Sequence, residues 1–412
     1  MKFRFLYKYL KKHLQHKNYT IITGARQVGK TSLLKQLYFH LLSENEEAVL
    51  LNLENKELLK SLNNDVKTVF NHVQIVPKKI LEGETKKRIY LLIDEIQYLD
   101  DPSNFLKFLY DEYEYNVKVV ATGSSAFYID TKFNDSLAGR KRIFQLYPLS
   151  FNEFLVFKRQ EKITSEITYQ VSEPSYVSDY ATNTYTLLLE YLTYGGYPAV
   201  VLEKDKEEKK WLLNELKNSY LRRDIIESGV DKENKFLMLV QILSDQIGNL
   251  VNSKELGNTL GLDHKTVKRY LYILEKCFHI DLIKPFYRNL RKELTKMPKV
   301  YFNDIGLRNA ILGKFDNPMN RIDKGALLEN FVYNQLRIKH NQSQNLGIKY
   351  WRTADGNEVD FVIEESFNTG YALEVKWNCK QFKPTKYKKF RTAYPNYELN
   401  CLDSKNIEIL TY

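Results

Sequence analysis

An α/β fold with a parallel sheet in its first third is predicted for this chain of 412 residues, on three observations. Strand-like apolar runs alternate with helical stretches from residue 19 to about 150, the pattern of βαβ units. One of these runs, Ile89-Tyr90-Leu91-Leu92-Ile93, is apolar on both faces, which suits a central strand covered by helices on either side. Residues 24–31, Gly-Ala-Arg-Gln-Val-Gly-Lys-Thr, fit the spacing G-x-x-x-x-G-K-[ST] and lie between a strand and a helix start.

The first 17 residues read as a basic amphipathic helix without the long apolar centre of a signal peptide. Tyr19-Thr20-Ile21-Ile22 is the first strand, and Ser32 to Leu37 begins a helix. Between them Gly24 and Gly29 let the backbone wrap closely, so that loop amides and the positive helix end face an anion. Gly24, Ala25, Arg26, Gln27, Val28, Gly29, Lys30, Thr31 and Ser32 are therefore the expected nucleotide contacts. Lys30 is expected on the β- and γ-phosphates, and Thr31 is expected to offer its hydroxyl to Mg²⁺. Ala48 to Leu53 is the second strand.

The Ile89–Ile93 strand ends in Asp94-Glu95, where ligands bind in open α/β sheets. Asp94 is expected to hold the Mg²⁺ and Glu95 to orient and deprotonate an attacking water, a role for an ATPase rather than a kinase. A guanine-reading N-K-x-D is not found, so ATP is preferred over GTP. Pro102-Ser103 precedes a helical stretch from Asn104 to Tyr110, and Val117 to Thr122 is a further strand, followed by Gly123-Ser124-Ser125. Ser124 or Ser125 suits a γ-phosphate sensor, or equally a helix cap. Arg140 is a candidate for reaching phosphate, in this chain or a neighbouring copy, with an exposed structural arginine as the alternative. Ser150 and Glu153 form a capping box.

Residues 159–185 are polar and aperiodic and read as an irregular connection. Helices follow, with a turn at Tyr194-Gly195-Gly196-Tyr197-Pro198 and a mixed charge run from Lys204 to Lys210 on a solvated face. Arg222 or Arg223 could return to the nucleotide, although an intrahelical ion pair is the default. Ser253 to Leu260, a turn at Gly261, and His264 to Lys276 make a helix-turn-helix. Its outward residues are His264, Lys265, Lys268 and Arg269. A β-hairpin, Ile280–Tyr287 with Lys299–Phe302, adds a wing carrying Lys284, Arg288, Arg291, Lys292, Lys296 and Lys299. Such a winged helix fits DNA, or a docked protein.

The last region opens with a helix at Gly325–Val332 that contains Glu329. Strands Glu358–Ile363 and Tyr371–Trp377 follow. Glu374 and Lys376 share one strand face, and pairing brings Asp360 to them. Two carboxylates for a divalent ion, a lysine beside an attacking water and Glu329 as a further acid suit metal-assisted phosphodiester cleavage. Alternating acid and lysine on an exposed strand is the other reading.

Net charge is +11, which attracts polyanions and makes DNA the expected partner. Hydrophobic content of 43% is ordinary, and no apolar run reaches membrane-spanning length, so no membrane association is expected. Cys277, Cys379 and Cys401 have no metal spacing and suggest no disulfide framework, which points to a reducing cytoplasm.

Taken together, the motifs resemble a family of bacterial and archaeal AAA+-like P-loop ATPases with a helical lid, a winged helix and a C-terminal PD-(D/E)xK nuclease-like domain of uncharacterised function. The residues carrying the resemblance are 24–32, 91–99, 122–126, 137–140, 148–154, 195–198, 299–309, 325–332 and the Glu-Val-Asp-Phe-Val and Leu-Glu-Val-Lys strands. The resemblance implies ATP and Mg²⁺ at Lys30, Thr31, Asp94 and Glu95, a sensor at Ser124 or Ser125, and a nuclease-like signature at Asp360, Glu374 and Lys376. The expected domains are an ATPase core at 1–155, a lid at 156–240, a winged helix at 241–316 and a restriction-endonuclease-like α/β domain at 317–412. The expected activity is ATP-driven DNA processing; the alternative is a signalling or docking ATPase with an inactive C-terminal domain. No arginine finger matches unambiguously, and a homo-oligomer is left open.

Overall fold

The computed structural model describes residues 2, 4–84, 87–123, 137–160, 181–288, 293, 296–341 and 347–407. The chain forms two compact units, Met1–Tyr147 with Lys276–Phe278, and Pro148–Glu275 with His279–Tyr412.

The first unit is built on a five-stranded sheet, all of it parallel, in the order β2-β3-β4-β1-β5. The strands are β1 (Tyr19–Thr23), β2 (Glu47–Asn52), β3 (Ile89–Asp94), β4 (Val117–Gly123) and β5 (Lys141–Gln145). β1, β3 and β4 are buried along their whole length, as their unbroken apolar runs require, while the edge strands β2 and β5 are partly exposed. Helices α1 (Leu6–His13), α2 (Lys30–Ser43), α3 (Lys56–Asn64) and α4 (Pro102–Tyr113) belong to the same unit. The Asp101 side chain caps α4 and Pro102 takes the first turn, where its missing N–H costs nothing. Ile21, Leu91, Ile93, Val119 and Ala121 pack with Leu106 and Leu109 in one core. The strand order puts β4 between β1 and β3, so the loop after β1 and the acids after β3 flank the tip of β4.

The second unit is mainly helical before a small sheet. Ser150 and Glu153 make the expected capping box on α5 (Phe151–Phe157). Then come α6 (Ala181–Tyr194), α7 (Pro198–Leu202), α8 (Lys206–Glu227) and α9 (Glu233–Asp245). The stretch read as irregular therefore gives way to helix by residue 181; residues 161–180 lie outside the described ones. Arg223 pairs with Glu227 at 2.8 Å along its own helix, as the default reading had it. Lys209 corrects the solvated-face reading of its charge run. It is 3% exposed, and its ammonium donates to the Val200 carbonyl at 2.5 Å and pairs with Glu190.

The helix-turn-helix has the expected bounds, α10 (Ser253–Leu260) and α11 (His264–Lys276), joined through Gly261 in the left-handed conformation. Val267, Tyr270, Leu271 and Leu274 are buried on α11, and Lys265 and Lys268 are exposed. Arg269 is committed to the neighbouring turn through the carbonyls of Ser228 and Gly229 and through Asp231. The hairpin is shorter than predicted, because β6 (Ile280–Ile283) pairs antiparallel with β7 (Lys299–Phe302) over four residues. Residues 284–286 instead meet the edge of the C-terminal sheet, where the Phe286 amide donates to the Tyr350 carbonyl at 2.5 Å and the Tyr350 amide to that of Lys284 at 3.2 Å. Pro285, which lacks a donor, ends the pairing with β7. Arg291 and Lys292 lie outside the described residues.

After β7 come α12 (Ile305–Leu312) and α13 (Lys324–Asn341). Asp304 caps α12 and also accepts from the Gly196 amide at 2.7 Å. At Gly196 a Cβ would stand 2.6 Å from the Leu149 carbonyl oxygen. The Asn309 amide donates to the carbonyls of Leu192 and Thr193. The Gly-Gly-Tyr-Pro and Asn-Asp-Ile-Gly-Leu-Arg-Asn segments therefore hold each other. The C-terminal sheet has the order β11-β10-β9-β8, with β8 (Ile348–Arg352), β9 (Glu358–Ser366), β10 (Thr369–Val375) and β11 (Tyr397–Leu402). Only β10 and β11 run parallel, joined across α14 (Lys388–Ala393). That pairing sets Glu374 beside Cys401, and the sulfurs of Cys379 and Cys401 form a disulfide. The reading of three unrelated cysteines is corrected, and with it goes the cysteine argument for a reducing compartment. No helix among the described residues is long and apolar enough to cross a membrane.

Candidate functional site

The loop from Gly24 to Gly29 leaves the C-terminal end of β1 and runs into α2. Gly24 must be glycine, because a Cβ there would stand 2.1 Å from the Leu146 carbonyl oxygen. Gln27 and Gly29 take positive φ, 54° and 100°. Gly29 is the N-cap of α2 and has no side chain to satisfy the first helical amides, so these are left for an anion. The Lys30 ammonium, 5% exposed, donates to the carbonyls of Gly24 at 2.9 Å and Ala25 at 2.7 Å. It thus lies over the loop whose amides would receive phosphate. Thr31 and Ser32 are exposed in the first turn of α2. Arg4 braces the loop from outside by donating to the Val28 carbonyl at 2.6 Å and the Tyr147 carbonyl at 2.8 Å.

Asp94 and Glu95 stand where the sequence placed them, at the end of β3. Asp94 is 4% exposed and accepts a hydrogen bond from the Thr122 hydroxyl. The Glu95 amide donates to the same hydroxyl oxygen at 3.0 Å. Glu95 has φ 59°, a left-handed turn that costs a non-glycine residue on the order of 1 kcal/mol. Its carboxylate accepts from the Gln97 amide. Thr122 and Gln97 were missed by sequence reasoning. The signal for Thr122 was its place at the polar tip of the strand next to Asp94; Ser124 and Ser125, to which the sensor role was given, lie outside the described residues.

Arg140 takes the structural place that the sequence reading gave as its alternative. It precedes β5 at the N-terminal edge of the sheet, where the Tyr19 amide donates to its carbonyl, whereas the loop leaves the opposite edge. Its guanidinium pairs with Asp111 at 2.9 Å and lies over the Tyr110 ring. It does not reach the loop of its own chain.

ATP and Mg²⁺ fit these residues: an uncapped helix N-terminus, a cationic side chain over the loop, and a hydroxyl and a carboxylate on its two sides.

The C-terminal acids do come together. The Asp360 carboxylate accepts from the Val375 amide at 2.8 Å, and the Lys376 ammonium donates to Glu374. Burial and then Asp360 push Glu374 above the usual carboxylate range, and the Tyr387 hydroxyl lies beside it. Glu329 on α13 accepts from the Tyr301 hydroxyl at 2.6 Å. Burial, followed by Asp360, pushes Glu329 up to about 7. Lys299, assigned from sequence to a basic wing, is instead buried in this cluster, 2% exposed. Its ammonium lies 3.1 Å from Glu329 and 3.6 Å from Asp360, and pairs more closely with Glu358. Among the described residues no group of three or more His, Cys, Asp or Glu is arranged to hold a metal. At the pair expected from sequence to hold a divalent ion, Lys299 lies 3.6 Å from Asp360 and Lys376 pairs with Glu374, whose other oxygen, Oε2, is buried without a hydrogen-bond partner.

Residues 16–155 match the family described as AAA domain. Residues 185–317 and 324–409 match two domains of unknown function, DUF8612 and DUF4143. An uncharacterized protein of Haemophilus influenzae is 29% identical over 389 residues, covering 90% of this chain and 88% of its own length. One from Methanocaldococcus jannaschii is 28% identical over 377 residues, covering 89% and 77%. Among solved structures, the ORC2 protein of Aeropyrum pernix covers 76% of this chain and 95% of its own at 11% identity, with a TM-score of 0.40. The N-terminal unit is thus similar to AAA domains over residues 16–155, on a parallel sheet whose first strand leads into the glycine-rich loop.

Proposed function

We propose that the protein is an Mg²⁺-dependent ATP hydrolase that works on DNA. The observation that carries the reading is the convergence of Lys30, Asp94, Glu95 and Thr122 at one end of the parallel sheet. Lys30 exchanges its two loop carbonyls for phosphate oxygens, and the N-terminal turn of α2 takes the remaining charge. Thr31 and Asp94 hold the Mg²⁺, which neutralises phosphate charge when bound. Thr122 fixes both acids, holding Asp94 by its hydroxyl proton and the Glu95 turn by its oxygen. Glu95 accepts the proton of the attacking water.

DNA as the partner is supported by the net charge of +11 and by the exposed cations of α11, in a helix-turn-helix followed by the β6–β7 ribbon. The winged-helix reading rests on that order of elements, and the nuclease-like reading of the last domain rests on its acids and on the order of α13, three antiparallel strands, α14 and a parallel strand. The engagement of Lys299 favours a second reading for that domain, in which it binds nucleic acid or protein without cutting.

The test is Glu95→Gln in the full chain. ATP binding should persist and hydrolysis should stall, because an amide cannot take the water's proton. Normal turnover overturns the assignment of the base.

A further inference from the structure

A site for a divalent ion needs carboxylates that lack other partners, or whose mutual repulsion only the ion relieves. At Glu329, Glu358 and Asp360 a cation of the chain already supplies the partner, whereas Glu374 keeps one buried oxygen, Oε2, without a hydrogen-bond partner. Lys299 reaches it from β7, a strand that precedes the last domain, and its ammonium faces Glu329, Glu358 and Asp360 together. The Tyr350 ring, centred 5.6 Å from the nitrogen, adds a cation–π contact. Glu358 has a second cation in Arg352 at 3.1 Å, and Glu374 has Lys376. Four carboxylates thus face three cationic side chains within the chain itself.

The lysine is not a loosely placed arm. β7 is paired with β6 on one side, and Asn330 clasps Phe302, accepting from its amide at 2.8 Å and donating to its carbonyl at 2.7 Å. The Gly248 amide donates to the Val300 carbonyl, and a Cβ at Gly248 would stand 3.2 Å from the Glu329 carboxylate. Tyr301, on the same strand face as Lys299, binds Glu329 as well. Burying an ammonium is costly unless several anions surround it. Here three carboxylates, of Glu329, Glu358 and Asp360, surround it.

We propose that Lys299 is the resident cation of Glu329, Glu358 and Asp360, filling the side of Asp360 that a divalent ion would need and so excluding metal from the C-terminal domain. This inference rests on the second reading above, that the domain binds without cutting. The cluster is then a charge lock between the β6–β7 ribbon and the last domain.

The experiment measures Mn²⁺ binding to the full chain without nucleotide, by loss of the free-ion paramagnetic resonance signal. The wild type and the double variant Glu329→Gln, Asp360→Asn should bind the same number of ions. A wild-type ion that the double variant lacks overturns the proposal. Lys299→Ala should lower the melting temperature, gain one bound Mn²⁺, and recover part of the lost melting temperature when Mn²⁺ is added. A folded Lys299→Ala chain that gains no ion also overturns it; should that variant not fold, the first comparison decides. Cleavage of DNA by the wild type would sink the second reading itself, and is scored separately on single-stranded, duplex and branched DNA. Cleavage that persists with chelator present would sink that reading while leaving metal exclusion intact.

Discussion

Thr122→Val removes one hydroxyl and little else. Valine is β-branched and of nearly the same shape, so β4 keeps its packing and no cavity opens. Two bonds are lost, the donation to the Asp94 carboxylate and the bond from the Glu95 amide at 3.0 Å. A hydrogen bond to a charged group contributes about 1.5–3 kcal/mol and a neutral one about 1 kcal/mol. If roughly half of that sum is felt in the transition state, kcat falls about 8- to 30-fold. Nucleotide affinity should change less than about threefold, because Lys30 and the loop amides are untouched and supply most of the phosphate contacts. Steady-state hydrolysis at saturating Mg²⁺-ATP, paired with titration of a fluorescent ATP analogue, separates the two quantities. Thr122→Ser keeps the hydroxyl and should retain most of the activity. A Thr122→Val protein with kcat within about twofold of wild type would refute the idea that this hydroxyl holds both acids in place.

Local spacing explains which parts of the site were legible. The loop, Lys30 and the first turn of α2 are contiguous, so the strand–loop–helix reading needs nothing from elsewhere in the chain. Asp94 and Glu95 follow from one apolar run and its end. Thr122 needs more, because its contact with Asp94 depends on the register of β3 against β4, Ile93 beside Ala121, which no local pattern states. The polar tip was therefore sought beyond the strand, at Ser124 and Ser125. Lys299 is the instructive failure. Among basic neighbours it reads as one more cation on a wing, and only acids 30 to 61 residues later in the chain make its burial tolerable. One hint was local: Tyr301 stands two residues on, hence on the same strand face, and a solvent-facing ribbon has little use for it. Lys209 and the Cys379–Cys401 bridge escaped for the same reason, since a long-range partner decides each.

Two further outcomes are expected. Lys265→Ala with Lys268→Ala should weaken DNA binding and flatten its salt dependence by a slope of about one per lost phosphate contact, with DNA-free ATP hydrolysis unchanged; an unaltered affinity at fixed salt would point to a docked protein instead. The other concerns acid stability and His13. This ring is 3% exposed, shares a hydrogen bond between Nδ1 and the Thr20 hydroxyl at 2.8 Å, and stacks on His16. Burial first, and then Lys118, lowers its pKa from 6.5 to about 3. The folded ring therefore refuses a proton that the unfolded chain accepts between those two values. Its contribution is complete above pH 6.5 and is lost progressively as the pH falls towards 3. A full shift of that size sets a ceiling of roughly 5 kcal/mol. His13→Gln keeps a group that can bond Thr20 but cannot titrate. Carboxylates elsewhere titrate in both proteins and cancel in the comparison. Between pH 6 and 4 the wild type should lose stability faster than the variant, by up to about 1.4 kcal/mol per pH unit, the value for one proton. Urea unfolding of the full chain across this range, followed by hydrogen exchange at β1 amides, reads the difference. Parallel curves for the two proteins would mean that the ring accepts its proton without unfolding the unit.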